Sequence, residues 1–263
     1  MGILNVTPDS FSDGGLHLSM SDAVDAGKRM IDAGADLIDV GGESTRPGAK
    51  PVDVVEEIRR TIPVVQALVR SGASVSIDTM KPEVARAAIL AGAFLVNDVS
   101  GFRDPKMVDV VSEHLPHVCI MHMQGEPRTM QQNPNYEDVV SEVRSFLCKR
   151  ADELASLGLS PHQVWIDLGI GFGKTVDHNL TLLYHLQEFT STHYPVLIGT
   201  SRKSFLGKLL GTTDKPLPVE DRFEATLATQ SWAQIQGARI IRSHDVLAAR
   251  RVIDIISAIQ SRP

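Results

Sequence analysis

The sequence has only two cysteines, Cys119 and Cys148, and they form no CxxC pair. This low content excludes a disulfide-rich fold and is typical of a reducing compartment. The chain also lacks any apolar stretch of about 18 residues, the length of a transmembrane helix. Its N-terminus lacks the basic region and the long apolar region that are typical of a signal peptide. We therefore expect a soluble, cytoplasmic protein that does not associate with membranes.

Positive charge is in deficit, with 26 Lys and Arg against 32 Asp and Glu and a net charge of -6. No long basic run is present, so nucleic-acid binding is disfavoured. Apolar residues make up 43% and charged residues 22% of the chain, which excludes disordered and collagen-like classes. A length of 263 residues fits either one large barrel or two small domains.

Short apolar runs rich in Val, Ile and Leu recur eight times, and amphipathic helical patterns separate them. They predict buried parallel strands joined by helical crossovers. The predicted strands are Gly2–Val6, Asp36–Gly41, Ser74–Thr79, Phe94–Val99, His117–Met123, Gln163–Leu168, Pro195–Thr200 and Ala238–Ser243. An eightfold β/α (TIM) barrel, forming one domain over residues 1–263, is the leading architecture. Pro63 should kink or split the helix predicted from Asp53 to Ser71.

A doubly wound open sheet would show the same alternation. The two folds differ in where polar residues gather, because a barrel collects them at the carboxyl ends of all its strands. Such residues follow nearly every predicted strand here: Asn5, Gly41-Gly42-Glu43, Asp78, Asn97-Asp98, His122, Asp167, Ser201-Arg202-Lys203, and Arg242 with His244. This distribution favours a barrel with one central site.

Asp78, Asn97 and Asp167 offer carboxylate and amide groups to a flat heterocycle that carries amino and amide functions. The alternative is structural, since strand-end Asp and Asn often cap the following loop. Lys203 could donate to such a ring or could simply be solvated.

If the last strand continues to His244, Arg242 and His244 share a face and Ser243 points away. Together they suit a phosphate or diphosphate, with Asn5 adjacent after barrel closure. A surface salt bridge is the alternative for Arg242.

The segment Gly169–Thr175 is glycine-rich, but its spacing matches neither a P-loop nor a dinucleotide fingerprint. It could approach a ligand or be a plain loop. No HExxH motif, zinc-spaced Cys/His group or GxSxG elbow is present, so metallohydrolase and serine hydrolase chemistry are not supported. A structural role is favoured for His122.

Long motifs in this order resemble the signatures of the dihydropteroate synthase family, the pterin-binding enzymes of the folate pathway. They are Met1–Gly15 (MGILNVTPDSFSDGG), Asp39–Gly48 (DVGGESTRPG), Ser76–Thr79, Asn97–Ser100, Met121–Gly125, Gly171–Lys174, Ser201–Ser204 and His244–Val246. The resemblance covers essentially the whole chain. It implies an eightfold barrel that joins 4-aminobenzoate to 6-hydroxymethyl-7,8-dihydropterin diphosphate, yielding 7,8-dihydropteroate and diphosphate. It also implies Mg²⁺, which would assist an SN1-like displacement.

The resemblance assigns residues to each part of the site. Catalysis is expected from Asn5, Asp78, Lys203, Arg242 and His244. Pterin binding is expected from Asp78, Asn97, Met121, Asp167, Gly199 and Lys203. The expected diphosphate set is Asn5, Thr45, Arg242, Ser243 and His244, with Asn5 also ligating Mg²⁺. The expected aminobenzoate set is Phe11, Thr45, Arg46, Pro47, Phe172, Ser201 and Lys203.

The family pattern further implies a homodimer, a site for sulfonamides, and two loops, Thr7–Gly15 and Gly42–Pro51, that close over the substrates. Two positions depart from it, Leu168 in place of the usual Pro and Ser243 in place of an apolar residue. The chain also begins at the first predicted strand, so it could be shortened or belong to a fusion with the preceding pathway kinase. A methyltetrahydrofolate-using methyltransferase and a noncatalytic pterin-binding paralogue remain the alternative functions.

Overall fold

The strands form a single parallel sheet in chain order. The computed structural model describes residues 1–7, 20–45, 48–212 and 214–262. Each strand pairs with the next one along the chain. They are β1 (Gly2–Asn5), β2 (Ile38–Gly41), β3 (Val75–Asp78), β4 (Leu95–Asp98), β5 (His117–Met121), β6 (Val164–Asp167), β7 (Val196–Ile198) and β8 (Ile240–Ile241). Every strand lies within its predicted range.

The sheet closes on itself between its last and first strands. Gly2 and Ser243 form a parallel bridge. The Ile3 N–H donates to the Ser243 carbonyl at 3.1 Å, and the Ser243 N–H donates to the Met1 carbonyl at 2.9 Å. The predicted eightfold barrel is therefore confirmed, and the open-sheet alternative is excluded.

Helices follow the strands and cover the outside of the barrel. They are α1 (Met20–Asp32), α2 (Val54–Arg70), α3 (Pro82–Leu90), α4 (Pro105–His114), α5 (Val139–Ala155), α6 (Val176–Tyr184), α7 (Gln187–Thr190), α8 (Ser204–Leu210), α9 (Phe223–Ile235) and α10 (Val246–Gln260). Short 3₁₀ turns occupy Pro161–Gln163 and Val219–Arg222. None of the helices within the described ranges combines the length and hydropathy that crossing a membrane requires.

The alternation of side chains along each strand divides the core into two parts. One face of the strands, including Val40, Ile77 and Ile120, packs against the helices in the main apolar core. Inside the barrel, Leu95, Cys119 and Leu197 form a second apolar cluster. These three side chains point into the barrel because successive residues of a strand point to opposite faces. Together they form an apolar floor in the barrel interior.

Helix α2 runs without interruption through Pro63. Its N-terminus is capped by the Asp53 side chain, which accepts the Glu56 N–H at 2.9 Å. On both sides of Pro63 the helix buries residues against the barrel, among them Thr61 and Leu68. Of the two expected effects of this proline, a split of the helix is wrong, because packing along the whole face offsets the lost hydrogen bond.

Two leucines on the outer helices test this description of the core. Leu147 in α5 is 0% exposed and Leu90 in α3 is 72% exposed. Leu147→Ala should lower the free energy of unfolding by about 2–5 kcal/mol, because it leaves a cavity in the core. The same change at Leu90 should alter stability by no more than about 0.5 kcal/mol. Urea unfolding of both variants measures the difference, and equal losses would contradict the assigned core.

Candidate active site

Polar side chains line up on neighbouring strands at the mouth of the barrel. Asn5 lies in register with Gly41, Gly41 with Asp78, and Asp78 with Asn97. Gly41 keeps a gap in this row. A Cβ atom on Gly41 would lie 3.6 Å from Asn5 Oδ1 and 3.6 Å from Asp78 Cβ. The amide of Asn5 and the carboxyl of Asp78 therefore border a common space that has no side chain in its centre.

Arg242 directly follows β8. Its side chain extends into the barrel interior and reaches β2 and β3, near the start of the chain. Its Nε donates to Asp39 Oδ2 at 2.6 Å, and its Nη2 donates to Asp78 Oδ2 at 2.9 Å. Asn97 Nδ2 donates to the same Asp39 oxygen at 3.1 Å. The Arg242 side chain is only 18% exposed and Asp39 is fully buried. The alternative of a surface salt bridge for Arg242 is thereby excluded.

Two carboxylates share this one guanidinium, so the cluster carries a net negative charge when both are ionised. Burial raises the pKa of Asp78 to about 7, and the neighbouring Asp39 carboxylate adds to the increase, whereas Arg242 opposes it. Burial alone would lower the pKa of Arg242, but Asp39 and Asp78 together raise it. The guanidinium therefore stays charged, and Asp78 exchanges a proton near neutral pH.

A third carboxylate, at the end of β6, and a lysine in the loop after β7 face the cluster. Asp167 Oδ1 accepts the Gly169 N–H at 2.8 Å. Burial raises the pKa of Asp167, and this hydrogen bond acts against the increase. The Lys203 ammonium lies 3.9 Å from the centre of the Phe172 ring, a cation–π contact. Burial lowers the pKa of Lys203 to about 8, and Asp167 opposes the decrease.

His244 and Ser201 form a separate pair beside the mouth. His244 Nδ1 lies 3.0 Å from Ser201 Oγ, and the His244 N–H donates to the same oxygen at 3.2 Å. Strand β8 ends at Ile241, so the condition for alternating side chains up to His244 is not met. Ser243 Oγ is buried and accepts the Asp245 N–H at 3.2 Å. Ser201 thus holds His244, while the two aspartates hold Arg242.

The other predicted residues fall into four groups. Met121 is buried in an apolar cluster with Val99, Met123 and Met130, and Phe172 packs against it. Gly199 adjoins Arg242, since a Cβ atom there would lie 3.8 Å from Arg242 Cβ. Thr45 is partly buried in the loop after β2. Phe11, Arg46 and Pro47 lie outside the described residues, as do most of the first predicted closing loop and part of the second.

Asp39 is a site residue that none of the expected site sets includes, although a signal was present. An aspartate in the middle of the apolar strand Ile38–Gly41 must have a buried partner, because an unpaired buried charge is costly. The partner is 203 residues away in Arg242, which no local pattern could identify. The capping alternative does hold for Asp167, whose side chain accepts the Gly169 N–H. Asp98, which follows Asn97, likewise accepts the Ser100 and Phe102 N–H groups.

Lys174 is another buried residue that none of the expected site sets includes. It lies at the end of the glycine-rich segment. Its Nζ lies 3.0 Å from His122 Nδ1. Burial lowers the pKa of Lys174 to about 7. Burial also lowers the pKa of His122 to about 2, and the Lys174 charge adds to that decrease, so the imidazole is neutral. These contacts support the structural role favoured for His122.

No group of three or more His, Cys, Asp or Glu side chains in the described part of the chain is arranged to hold a metal ion. The Asn5 amide oxygen beside Gly41 is the oxygen ligand that the sequence analysis singled out. A hard cation there would need further oxygen ligands from a substrate or from water.

Comparisons with known proteins identify the family of this chain. A family model described as "Pterin binding enzyme" matches residues 1–244. The dihydropteroate synthase of Escherichia coli K12 is 45% identical over 258 residues, covering 97% of this chain and 90% of the relative. Yersinia pestis dihydropteroate synthase, solved with a sulfonamide drug, has a TM-score of 0.92 at 41% identity, covering 99% of this chain and 94% of that chain. Burkholderia cenocepacia dihydropteroate synthase, solved with 7,8-dihydropteroate, has a TM-score of 0.88 at 44% identity, covering 99% of this chain and 90% of that chain.

The closed barrel with its polar mouth and the family match together define the class: the chain belongs to the pterin-binding enzyme family. Its relatives within that family are dihydropteroate synthases, and like them it is a transferase of folate biosynthesis.

The shared guanidinium makes a testable demand on stability. Arg242→Met leaves two buried carboxylates without a counter-charge and should cost about 3 kcal/mol of unfolding free energy at pH 7.5. The loss should be smaller at pH 5.5. At that pH the buried carboxyl groups of the folded variant are protonated, whereas those of the unfolded chain, which have lower pKa values, are still ionised, so proton binding stabilises the folded variant. Urea unfolding at both pH values measures it. Arg150→Met, which removes an exposed ion pair with Glu153, serves as the control and should have little effect at either pH. A loss for Arg242→Met that is equal at the two pH values would contradict the shared-charge cluster.

Proposed function

We propose that this chain condenses 6-hydroxymethyl-7,8-dihydropterin diphosphate with 4-aminobenzoate, giving 7,8-dihydropteroate and diphosphate. The observation that carries the proposal is the arrangement of Asp78, Asn97 and Asp167 around the barrel mouth, with Lys203 in the loop after the adjacent strand β7. The Burkholderia cenocepacia relative, 44% identical to this chain, was solved with 7,8-dihydropteroate. A product of that shape needs a ring site and an aryl site side by side.

The pterin ring is proposed to bind over the cluster at the mouth. Its amino and amide N–H groups can donate to the Asp78 and Asp167 carboxylates, and Asn97 can supply both a donor and an acceptor. Lys203 can donate to the ring's acceptor atoms. Met121, buried in its apolar cluster, would contact the face of the ring, and Gly199 would leave room beside Arg242.

The diphosphate is proposed to bind between Asn5, Thr45, Arg242 and His244. The hydrogen bonds of Arg242 to described residues use its Nε and Nη2 groups, so its remaining N–H groups are assigned to the anion. The Ser243 hydroxyl accepts the Asp245 N–H in the turn before α10, so it is not assigned to the diphosphate.

The residues at the mouth fit Mg²⁺ held mainly by substrate. Mg²⁺ in phosphate sites keeps several waters and takes one or two protein oxygens together with phosphate oxygens. Asn5 Oδ1, beside the gap at Gly41, is proposed as the protein ligand. When bound, the ion would supply positive charge to the departing diphosphate.

The reaction is proposed to follow an SN1-like course in which charge stabilisation dominates. Departure of diphosphate breaks the bond between the pterin methylene carbon and oxygen, and it leaves positive charge on the methylene and ring. The Asp78 carboxylate can stabilise that cation, and Arg242 and His244 can stabilise the leaving anion. The aminobenzoate nitrogen then bonds to the methylene carbon and loses a proton. Positioning of the weakly nucleophilic amine contributes the rest.

The aminobenzoate site is proposed to comprise Thr45, Phe172, Ser201 and Lys203, with Phe11, Arg46 and Pro47 added from the family pattern. Phe172 provides an aromatic face, and Lys203 provides a positive charge next to it. The Yersinia pestis relative was solved with a sulfonamide drug. Sulfonamides are proposed to compete for the same site in this chain.

A homodimer is also proposed. Large apolar side chains remain exposed on α8, α9 and α10. Helix α9 contacts α10, and the 3₁₀ turn Val219–Arg222 contacts both α8 and α9. The exposed residues are Leu209, Leu210, Phe223, Trp232, Ile235, Leu247, Ile255 and Ile259. Exposed apolar surface of this kind supports a protein–protein interface, and a second copy of the chain is the proposed partner.

Product formation tests the proposed function directly. Purified protein is mixed with the dihydropterin diphosphate, 4-aminobenzoate and Mg²⁺, and diphosphate and dihydropteroate are measured together. Equal amounts of both products, abolished by chelation of Mg²⁺, are the expected result. If calorimetry detects pterin binding but neither product forms, the chain is a noncatalytic pterin-binding protein and the proposal fails.

The raised pKa of Asp78 predicts pH-dependent binding of the pterin. An ionised Asp78 accepts the ring's N–H donors, so below pH 7 binding must displace a proton. Affinity of the unreactive 6-hydroxymethylpterin should fall about tenfold per pH unit between pH 6.5 and 5.5. Asp78→Asn should bind more weakly and lose this slope, and any remaining slope reports titration of the ligand itself. Calorimetry of both proteins decides, and identical slopes would remove Asp78 from the pterin site.

A further inference from the structure

Lys174 ends the glycine-rich segment Gly169–Lys174 between β6 and α6, and the proposed function gives it no role. Its side chain is 3% exposed. Besides His122 Nδ1, the Nζ atom contacts three backbone carbonyls, at 3.3 Å for His122, 3.1 Å for Gly169 and 3.0 Å for Phe172. These four acceptors outnumber the three N–H donors of an ammonium group. All N–H groups of Lys174 Nζ can therefore be used in hydrogen bonds within the protein, and none points to a substrate.

The carbonyls that Lys174 collects belong to two different loops. His122 follows β5, whereas Gly169 and Phe172 follow β6. The loops touch through their backbones, because a Cβ atom on Gly169 would lie 1.9 Å from the His122 carbonyl oxygen, and Gly169 has a φ of +66°. Only glycine fits there. At this close approach Lys174 Nζ donates to one carbonyl oxygen from each loop, His122 and Gly169, and so links the two loops.

Other groups complete the attachment of this segment on its outer side. Gln131 Nε2 donates to the Gly171 carbonyl at 2.7 Å, and the Tyr136 hydroxyl donates to the Gly173 carbonyl at 2.8 Å. The Gly171 N–H donates to Asn179 Oδ1 at 2.7 Å. Helix α6 begins directly after Lys174, with Thr175 as its N-cap. The backbone of Lys174 is therefore fixed by the helix, and its side chain reaches back into the loop.

The segment carries Phe172, whose ring contacts both the Lys203 ammonium and the apolar cluster around Met121. Because Lys174 binds the Phe172 carbonyl, it controls where that ring lies. We infer that Lys174 is a positioning residue for the proposed 4-aminobenzoate site. Its Nζ binds several backbone carbonyl oxygens at once, as a bound monovalent cation would. The substrate named in this inference rests on the proposed function, but the loop geometry does not.

Chemical rescue provides the test. Lys174→Ala removes a fragment equivalent to n-propylammonium. The variant should raise KM for 4-aminobenzoate about 10- to 100-fold, because a displaced Phe172 ring misaligns the aryl group. Its Kd for 6-hydroxymethylpterin should rise much less than the KM for 4-aminobenzoate, since Asp78 and Asn97 lie on β3 and β4 and only Asp167 is linked to this segment, through the Gly169 N–H. Added n-propylammonium should restore KM, whereas tetramethylammonium, which has the charge but no N–H donor, should not.

Two controls separate this effect from a general loss of a lysine or of the fold. Lys106→Ala, at an exposed lysine of α4, should keep both binding constants and show no response to n-propylammonium. If Lys174→Ala does not fold, Lys174→Gln, which keeps two N–H donors without the charge, replaces it and must show the same contrast between the two ligands. In a Phe172→Ala background, the Lys174→Ala change should have no further effect on KM for 4-aminobenzoate.

Amide hydrogen exchange keeps the inference testable if the chain forms no product. The N–H groups of Gly169, Gly171 and Phe172 are all hydrogen-bonded. Their exchange should speed up in Lys174→Ala and slow again with n-propylammonium, while exchange in α3 stays constant. Unchanged exchange in this segment overturns the positioning role. Equal losses of pterin and aminobenzoate binding in a folded variant overturn it as well.

Discussion

The single guanidinium of Arg242, shared by Asp39 and Asp78, is the interaction on which the site depends. It joins the last strand of the barrel to β2 and β3 through hydrogen bonds of 2.6 and 2.9 Å. Two buried carboxylates without it would repel each other and face a large desolvation cost. Barrel closure between Ser243 and Gly2 places Arg242 within reach of both acids. Assembly of the charged cluster therefore depends on closure of the barrel, and the cluster adds a side-chain link across the closed barrel.

The cluster also sets the chemistry available at the barrel mouth. One positive charge against two negative charges leaves an acid whose pKa lies near 7, in a position bordered by Asn5 and by the side-chain-free Gly41. Below this polar layer lies the apolar floor formed by Leu95, Cys119 and Leu197. A flat polar ring can thus meet fixed hydrogen-bonding groups while water below it is excluded. The charges are preorganised, which is the condition for stabilising charge that develops during reaction.

The sequence predicts the strands well and the site in part, for physical reasons. Strand order and the row of Asn5, Asp78 and Asn97 follow from local patterns, since a buried strand and its polar end are adjacent in the chain. The pairing of Arg242 with Asp39 spans 203 residues and depends on closure of the barrel. The expected shared face of Arg242 and His244 assumed a longer last strand than the two residues of β8. The position of Lys174 could not be predicted because three of its four partners are backbone carbonyls, which no residue type in the sequence identifies.

The central claim, that two carboxyl groups share one guanidinium and hold a proton near neutral pH, is open to direct observation. Carboxyl ¹³C shifts of aspartate-labelled protein without ligand can be followed from pH 4.5 to 8.5, with Asp39→Asn and Asp78→Asn used to assign the signals. The account predicts that the Asp78 carboxyl titrates with an apparent pKa near 7. Two carboxyl groups that both remain ionised down to about pH 5 would contradict it.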